Sequence, residues 1–223
     1  FVLDRGKPGT IVVNAAGRRF VNEATSYHLF TRAMYAAHRH SPSIPAFLIA
    51  DATALRKYGL GMVRPGGRGL KPFLADGYLV EAPSLSALAG KLGIDAQGLQ
   101  TSVARMNDYA ASGVDAEFGR GSTAYHRVNG DAAHAPNPNL GRLATAPFYA
   151  VRLLPGDIGA ATGLVTNEYA QVMRGDGTPL PGLYAVGNDM QSVMGGVYPG
   201  PGITIGPGLA FAYAAATHLT GAL

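Results

Sequence analysis

Residues 183–218 read LYAVGNDMQSVMGGVYPGPGITIGPGLAFAYAAATH and are the most informative feature of the sequence. Residues 183–186 predict a short, buried apolar strand, and Gly187 ends it without a side chain to obstruct what lies beyond. An ordinary turn needs one or two glycines, whereas the next loop has five around Tyr198: Gly195, Gly196, Gly200, Gly202 and Gly206. Bare backbone lets N–H groups contact a flat or anionic ligand directly, so the loop is predicted to bind a ligand.

An alanine-rich helix is predicted after this loop. Pro207 suits its first turn, where the missing N–H costs nothing, and residues 209–219 continue with little polar surface. We expect this helix to be buried, with its positively polarised N-terminal end directed at the glycine loop.

Composition limits the class of protein and the kind of partner. A chain of 223 residues with 47% hydrophobic content is long enough to bury a substantial core. The net charge of +4 is spread along the chain, and the densest basic group (Arg64, Arg68, Lys71) lacks interleaved aromatics, which argues against nucleic acid as a partner. No segment has the apolar length of a membrane span, and the absence of cysteine excludes disulfides and thiolate metal sites. We therefore expect a cytoplasmic protein without a membrane span.

The first part of the chain alternates between strand and helix patterns. Strands are predicted over residues 10–14 and 46–51, with a helix over residues 27–38 between them. Residues 55–71 are rich in glycine and are predicted to be irregular.

Two further helices carry clear end signals. Ser84 is the predicted N-cap of a helix that runs to Leu92 and ends at Gly93. Asp95 is the predicted N-cap of a longer helix over residues 96–111. The apolar residues of the longer helix recur at helical spacing, which is typical of core packing.

A long loop is predicted over residues 118–142, which show little periodicity. His126 and His134 lie in this loop without the spacing of metal ligands, so we interpret both as solvated histidines and predict no metal site. A strand over residues 148–154 follows the loop.

Residues 164–166 and 172–174 then form a predicted hairpin-like pair, with a tight turn at residues 175–177. Together these patterns predict a mixed α/β fold.

Three motifs resemble known flavoproteins. Gly-Arg-Arg-Phe-Val-Asn-Glu at residues 17–23 and Gly-Leu-Tyr-Ala-Val-Gly-Asn at residues 182–188 resemble the fumarate reductase and succinate dehydrogenase superfamily. Residues 84–109 are similar to the helices of that superfamily's capping domain. Within the superfamily, Tyr-Pro-Gly-Pro-Gly at residues 198–202 resembles the 3-ketosteroid dehydrogenases. The similarity covers nearly the whole chain.

The resemblance implies an α/β protein in two parts. Residues 1–159 correspond to an α+β catalytic or capping domain, and residues 160–223 to the C-terminal strand, loop and helix of a Rossmann-like FAD domain. Family members begin with a strand and a G-x-G-x-x-G turn that holds the FAD pyrophosphate, and this sequence has no such segment. We therefore expect a C-terminal piece of the enzyme that binds FAD weakly or not at all by itself. The face left by the absent part would favour homo-oligomer formation.

The resemblance also implies an uncharged substrate. In fumarate reductases an arginine lies four residues after the Asn-Glu glutamate and a second lies in the late glycine loop, and here these places hold Tyr27 and Tyr198. Loss of both fixed positive charges removes bidentate recognition of a dicarboxylate. A hydrophobic ketone, such as a 3-ketosteroid, is therefore the expected substrate.

Three groups are implied to act on that ketone. The Tyr198 O–H and the backbone N–H of Gly202 would donate hydrogen bonds to the carbonyl and acidify the adjacent C–H. Tyr27 would take the proton while the neighbouring carbon gives a hydride to FAD. The ordinary pKa of a tyrosine is about 10, so this base needs a nearby donor or positive group. The alternative role of Tyr27 is packing at the start of its helix.

Residues around the loop are the candidates for contact with FAD: Gly187, Asn188, Asp189, Gly202, Ile203, Thr204 and Ile205. Many relatives carry an acidic residue at the place of Asn188, and Asp189 is the candidate substitute. Arg18, Arg19 and Glu23 are interpreted as a structural ion-pair group that holds the strand and turn.

The sequence thus predicts a fragment of an FAD-dependent dehydrogenase acting on CH–CH donors, which desaturates a 3-ketosteroid-like ketone. Two alternatives stay open. One is a fumarate reductase-like flavoprotein acting on another enone or unsaturated acid, and the other is a folded domain that is catalytically inert as an isolated chain. The electron acceptor is not assigned.

Overall fold

A computed structural model describes residues 3–221. It divides the chain into two compact units, Phe1–Pro155 and Gly156–Leu223. The domain boundary expected after residue 159 lies close to this division. The assignment of the two parts as a capping domain and an FAD-domain segment stays a prediction.

The larger unit is built on an antiparallel sheet of four strands: β1 (Thr10–Val13), β2 (Ala46–Asp51), β3 (Val80–Ala82) and β4 (Phe148–Leu153). Their spatial order is β1-β2-β4-β3. Every residue of β2 is buried, because this strand is central and both faces of the sheet are covered. The strands predicted over residues 10–14, 46–51 and 148–154 are confirmed to within one residue.

Five helices cover the two faces of this sheet: α1 (Tyr27–His38), α2 (Ala52–Tyr58), α3 (Lys71–Ala75), α4 (Leu85–Leu92) and α5 (Ala96–Ser112). The first three pack on the face that contains Val12 and Leu48. The last two pack on the face that contains Ile11 and Ile49. Adjacent strand residues therefore enter separate cores, as the two-residue period of a β-strand requires. The predicted mixed α/β class is confirmed, with antiparallel sheets.

Side-chain caps begin the helices at the predicted places. The Ser84 hydroxyl and the Asp95 carboxylate accept hydrogen bonds from N–H groups of the first helical turns. The helices predicted over residues 27–38, 84–92 and 96–111 are confirmed.

The sequence patterns miss three short helices. Residues 55–58 and Lys71, predicted to be irregular, belong to α2 and α3. A five-residue helix, α6 (Ala124–Val128), interrupts the loop predicted over residues 118–142. Helices of one or two turns are too short to show an apolar period, so only local signals such as the Asp51 cap of α2 mark them in the sequence.

The described residues of the smaller unit form a two-stranded hairpin, β5 (Gln171–Met173) and β6 (Pro179–Tyr184), a 3₁₀ turn, Gly187–Asp189, and an α-helix, α7 (Ile205–Leu219). The predicted turn at residues 175–177 joins the two strands. The predicted pairing of residues 172–174 with residues 164–166 is confirmed in part, by an antiparallel bridge between Thr166 and Val172 and by the Met173 N–H, which donates to the Val165 carbonyl at 2.8 Å. The more extensive partner of β5 is β6, which forms the hairpin.

Exposure in the smaller unit differs from the sequence prediction. The strand predicted to be buried over residues 183–186 ends at Tyr184, and most of β6 is exposed. The prediction of a buried helix was also wrong: among the described residues of α7 only Ala215 is buried, and Leu209 and Tyr213 are 68% and 74% exposed. The small hairpin covers only a narrow stripe of a helix that is apolar on nearly all sides. Within residues 3–221, no helix combines the length and apolar character needed to cross a bilayer.

Gly17 forms a tight contact between the turn after β1 and the start of α5. Its φ of 65° lies in the left-handed region. An added Cβ would lie against the backbone nitrogen of Leu99 and the carbonyl oxygen of Asp95. The Ser102 hydroxyl also donates to the Gly17 carbonyl at 2.7 Å. The turn therefore docks directly on the backbone of α5.

We predict that Gly17→Ala destabilises the protein more than Gly93→Ala does. Both glycines have a left-handed backbone, with φ of 65° and 70°, but a Cβ at Gly93 would meet no other described residue within 4 Å. Gly93→Ala should lower the unfolding free energy by about 1 kcal/mol through backbone strain. Gly17→Ala should lower it by roughly 1–3 kcal/mol more through overpacking. Urea unfolding followed by far-UV circular dichroism measures both, and equal losses would contradict the docking of this turn on α5.

Candidate functional site

A buried ion cluster lies in the larger unit at the first flavoprotein-like motif. Arg19 Nη2 lies 2.6 Å from Glu23 Oε2 and 2.8 Å from Asp115 Oδ2. Arg120 Nη1 lies 3.4 Å from the same Glu23 oxygen, and all four side chains are fully buried. The predicted ion pair between Arg19 and Glu23 is confirmed, whereas Arg18 is exposed.

Opposite charges keep this cluster ionised. Burial by itself would raise the pKa of Glu23, but the charges of Arg19 and Arg120 outweigh burial and hold that pKa below its ordinary value. Burial likewise opposes ionisation of Asp115, and hydrogen bonds and charge from Arg19 lower its pKa overall. The pKa of Arg19 is raised, because its carboxylate partners outweigh its burial. Each charge in the cluster therefore depends on its partners.

The ion cluster is linked to the start of α1. Glu23 Oε1 accepts the Val12 N–H of β1 at 3.3 Å. The Ser26 hydroxyl caps the helix by accepting the Leu29 N–H. Tyr27, the first residue of α1, is partly buried. The candidate base thus follows an anchored carboxylate at the spacing that the motif implies.

Two arginines of this region gave no signal in the sequence. Arg120 follows α5 in the chain, and its guanidinium donates to the Thr10 and Lys7 carbonyls at 2.7 Å each. Arg5 precedes β1 and donates to the Glu23 carbonyl at 2.8 Å. Isolated arginines belong to no periodic pattern, so only the fold, which buries both side chains, reveals their structural role.

A second candidate site is a cleft of about 50 Å³ within the smaller unit. It contains five residues predicted to act on substrate or cofactor: Gly187, Asn188, Tyr198, Ile203 and Thr204. Residues 159–161 form another part of its wall. The Ser192 N–H donates to the Ala161 carbonyl at 3.1 Å, and the Leu164 N–H donates to the Asp189 carbonyl at 2.8 Å, which fixes this wall beside the segment after β6. Sequence reasoning missed this wall, whose small side chains carry no chemical signal.

The backbone around the cleft is accessible, as the glycine loop predicts. Gly187 and Gly202 have φ of 64° and 95°, and a Cβ at either position would meet no other described residue within 4 Å. The Gly202 carbonyl accepts the Gly206 N–H at 2.7 Å, close to where α7 begins at Ile205. Bare backbone beside the positively polarised end of a helix suits a flat or anionic ligand.

Other predicted site residues lie outside the described lining of this cleft. Gly202 is in the same loop but is not part of the wall, and Asp189 and Ile205 are exposed. Tyr27 belongs to the larger unit. The roles assigned to all these residues, in the cleft or outside it, stay predictions.

The two loop histidines, expected to be solvated, are partly buried. His134 Nε2 lies 2.8 Å from the Leu140 carbonyl oxygen. Burial, with a smaller contribution from the charge of Arg120, lowers the pKa of His126. Within residues 3–221, no group of three acidic, histidine or cysteine side chains is placed to hold a metal ion.

Comparison with known proteins identifies the family. The protein-family model described as "FAD binding domain" matches residues 2–205 of the sequence. The chain belongs to the FAD-binding domain family. The predicted resemblance to flavoproteins is thereby confirmed.

Individual relatives are similar along almost all of this FAD-binding-domain chain. It is 42% identical over 97% of its length to a 3-oxosteroid 1-dehydrogenase of Mycobacterium tuberculosis and covers 39% of that protein. It is 43% identical over 94% of its length to a 4-oxocyclohex-2-ene-1-carboxylate 5-dehydrogenase of Sinomonas cyclohexanicum and covers 36% of it. The whole chain also matches the crystal structure of a 3-ketosteroid Δ1-dehydrogenase from Sterolibacterium denitrificans in complex with 1,4-androstadiene-3,17-dione. The TM-score is 0.94, the sequence identity is 40%, and the chain covers 40% of that protein chain. The chain therefore spans about two fifths of the length of these relatives.

We predict that Glu23→Gln destabilises this FAD-binding-domain chain by about 3–5 kcal/mol, because Arg19 and Arg120 would stay buried without their shared carboxylate. Glu117→Gln is the matched control, since Glu117 Oε2 lies 3.5 Å from Arg19 Nη1 but its side chain is 30% exposed. In this control the unfolding free energy should fall by about 0–1 kcal/mol. Urea unfolding measures both variants, and a loss for Glu23→Gln as small as that of the control would show that the larger unit does not depend on the cluster.

Proposed function

We propose that the chain is part of an FAD-dependent dehydrogenase that desaturates a hydrophobic ketone beside its carbonyl, with a 3-ketosteroid-like compound as substrate. The observation that carries this proposal is the cleft, which brings Tyr198 together with Gly187 and the first turn of α7 at Pro207. The 42% identity to a protein named 3-oxosteroid 1-dehydrogenase supports the same class of reaction.

The residues of the cleft and of the adjoining glycine loop fit FAD, the cofactor of the family. Gly187 and Gly202 leave open space where a side chain would stand, and the α7 N-terminus offers a positively polarised helix end. We assign the contacts to the predicted set: Gly187, Asn188, Asp189, Gly202, Ile203, Thr204 and Ile205. Bound FAD would supply the acceptor for a hydride from the substrate. Weak binding of FAD by this chain in isolation stays a prediction.

The chain's own residues would bind and activate the ketone. The Tyr198 O–H and the Gly202 N–H would donate hydrogen bonds to the carbonyl oxygen, where negative charge develops as the adjacent C–H loses its proton. The Gly202 N–H donates no hydrogen bond to another residue within residues 3–221, which makes it available for this role. Tyr27 would take the proton from the substrate carbon.

A second candidate substrate is a cyclic ketone that carries a carboxylate. The relative from Sinomonas cyclohexanicum, at 43% identity, is named for 4-oxocyclohex-2-ene-1-carboxylate. Tyr27 and Tyr198 provide no fixed positive charge for a carboxylate, so we favour the uncharged ketone. The two alternatives from the sequence, an unsaturated acid as substrate and a domain that is catalytically inert as an isolated chain, stay predictions.

We also propose a cytoplasmic location, which the absence of cysteine favours.

Exposed apolar residues of α7, including Leu209 and Tyr213, support self-association of the chain. The scattered positive charge gives no reason to propose a nucleic-acid partner.

Turnover by a full-length flavoprotein that contains this chain tests the class of substrate. With an artificial electron acceptor, we expect desaturation of a 3-ketosteroid, and a kcat/KM for 4-oxocyclohexanecarboxylate that is lower by about tenfold or more, because a buried carboxylate would lack a cationic partner. A preference for the carboxylate would overturn the proposed substrate. Bound flavin without turnover of either compound would overturn the proposed class of ketone.

Tyr27→Phe and Tyr198→Phe should each lower kcat by about 10²-fold or more, because each removes the O–H that takes part in proton transfer or carbonyl binding. Tyr35→Phe in α1 and Tyr213→Phe in α7 are matched controls on exposed positions, and both should keep full turnover. Steady-state kinetics measure the effect, with thermal unfolding as the check on stability. Unchanged turnover in both Tyr27→Phe and Tyr198→Phe would rule out this mechanism.

A further inference from the structure

We infer that Arg5 is a positioning residue that fixes Tyr27 for proton transfer by holding the chain on both sides of it. This inference rests on the proposed role of Tyr27 as the base. Arg5 lies in a short 3₁₀ turn, Asp4–Gly6, ahead of β1, and its side chain reaches the segment that leads into α1. Tyr27 is the first residue of α1, so that segment determines where its side chain begins.

Before Tyr27, Arg5 binds two backbone carbonyls with one guanidinium. Nη1 donates to the Glu23 carbonyl at 2.8 Å in a buried hydrogen bond. Nη2 lies 3.5 Å from the Thr25 carbonyl, at the limit of a hydrogen bond. The two carbonyls belong to the connection between the ion cluster and the helix cap, so the guanidinium restrains the chain immediately ahead of Tyr27.

After Tyr27, the same guanidinium packs on the aromatic ring of Phe30. The Arg5 Cζ lies 4.1 Å from the ring centroid, a distance typical of a cation–π contact. Residues three apart on a helix share a face, so this contact restrains the first turn of α1 on the side of Tyr27. Phe30 is itself buried, and the centroid of its ring lies 6.0 Å from the centroid of the Phe20 ring. One side chain therefore joins the segment before α1 to its first turn.

The chemistry of this contact requires arginine. Arg5 is 3% exposed, and burial lowers the pKa of its guanidinium to about 10, with the charge of Glu23 as the largest opposing influence. At neutral pH the group therefore stays protonated and keeps all its N–H donors. Only a planar guanidinium can donate to two carbonyls in its plane while its face lies on a ring.

A shift of the first helical turn would misplace the Tyr27 hydroxyl relative to the substrate carbon. A displacement of about 1 Å can cost 10²-fold in rate, even when its source lies away from the reacting atoms. The effect should fall on kcat rather than on KM, because Tyr27 is proposed to act on the proton in the transition state and not to bind the carbonyl.

A double-mutant cycle in a full-length flavoprotein that contains this chain tests the inference. Arg5→Gln should lower kcat for desaturation of the ketone by about tenfold with KM changed less than about twofold. In the Tyr27→Phe background, the same change should lower kcat by less than about twofold, because Arg5 acts through Tyr27. Equal losses in both backgrounds would overturn the inference.

A second substitution and a control keep the test decisive. Phe30→Leu keeps an apolar side chain but removes the ring, and it should show a smaller kcat loss that also disappears in the Tyr27→Phe background. It replaces Arg5→Gln if that variant does not fold. Arg32→Gln, at an exposed position of α1, should leave kcat unchanged. If Tyr27→Phe alone has no effect on kcat, Tyr27 is not the base and the proposed function is contradicted. If Arg5→Gln lowers kcat equally in the Tyr27→Phe background, only the positioning role of Arg5 is contradicted.

A measurement on this chain by itself provides an independent readout. Amide hydrogen exchange over residues 24–30 should become about tenfold faster in Arg5→Gln, because the first turn of α1 loses restraints at both ends. Exchange in α5 should not change, and Arg32→Gln should match the unmodified chain. Unchanged exchange over residues 24–30 in a folded Arg5→Gln protein would contradict the inference.

Discussion

The larger unit depends on the neutralisation of one buried carboxylate, that of Glu23. Its oxygens accept the Val12 N–H of β1 and hydrogen bonds from Arg19, and Arg120 lies within ion-pair distance. An isolated charge at this depth would be strongly unfavourable, so the carboxylate and its two arginines are stable only as a set. The set joins the first strand, the motif that precedes α1 and the segment after α5, which the sequence separates widely.

The smaller unit combines a small apolar core with an accessible backbone around its cleft. Its apolar core cluster consists of Val172, Ala185 and Met190, with Leu180 and Phe211 partly buried against it. Glycines leave the backbone around the cleft bare, which favours contact with a ligand but provides little side-chain packing. The exposed apolar surface of α7 follows from the same limitation. In this unit the residues that favour ligand binding therefore contribute little to stability.

The two candidate catalytic tyrosines are placed by different means. Tyr27 follows a capped helix start that is anchored by buried charges, so its position depends on side chains far away in the chain. Tyr198 lies in a loop whose course is set by positive-φ glycines and by the segment beside it. The first arrangement gives rigidity through long-range ion pairs. The second allows a ligand to approach the backbone closely.

Local features follow from the sequence alone. They are the helices capped by Ser84 and Asp95, the central strands, the glycine loop and the ion pair within the motif of residues 17–23. These features depend on residues a few positions apart, so capping, alternation and motif spacing reveal them. The family resemblance also supplied Tyr27 and Tyr198 as candidates, which spacing alone does not single out.

Which distant groups meet depends on the tertiary structure. It brought Arg120 and Asp115 to the Glu23 cluster, placed residues 159–161 in the wall of the cleft, and left α7 exposed. A buried charge is satisfied by whichever partner the fold brings near, and a helix is buried only where another element covers it. Neither outcome is encoded within a short window of sequence, because both depend on contacts between segments that are far apart in the chain.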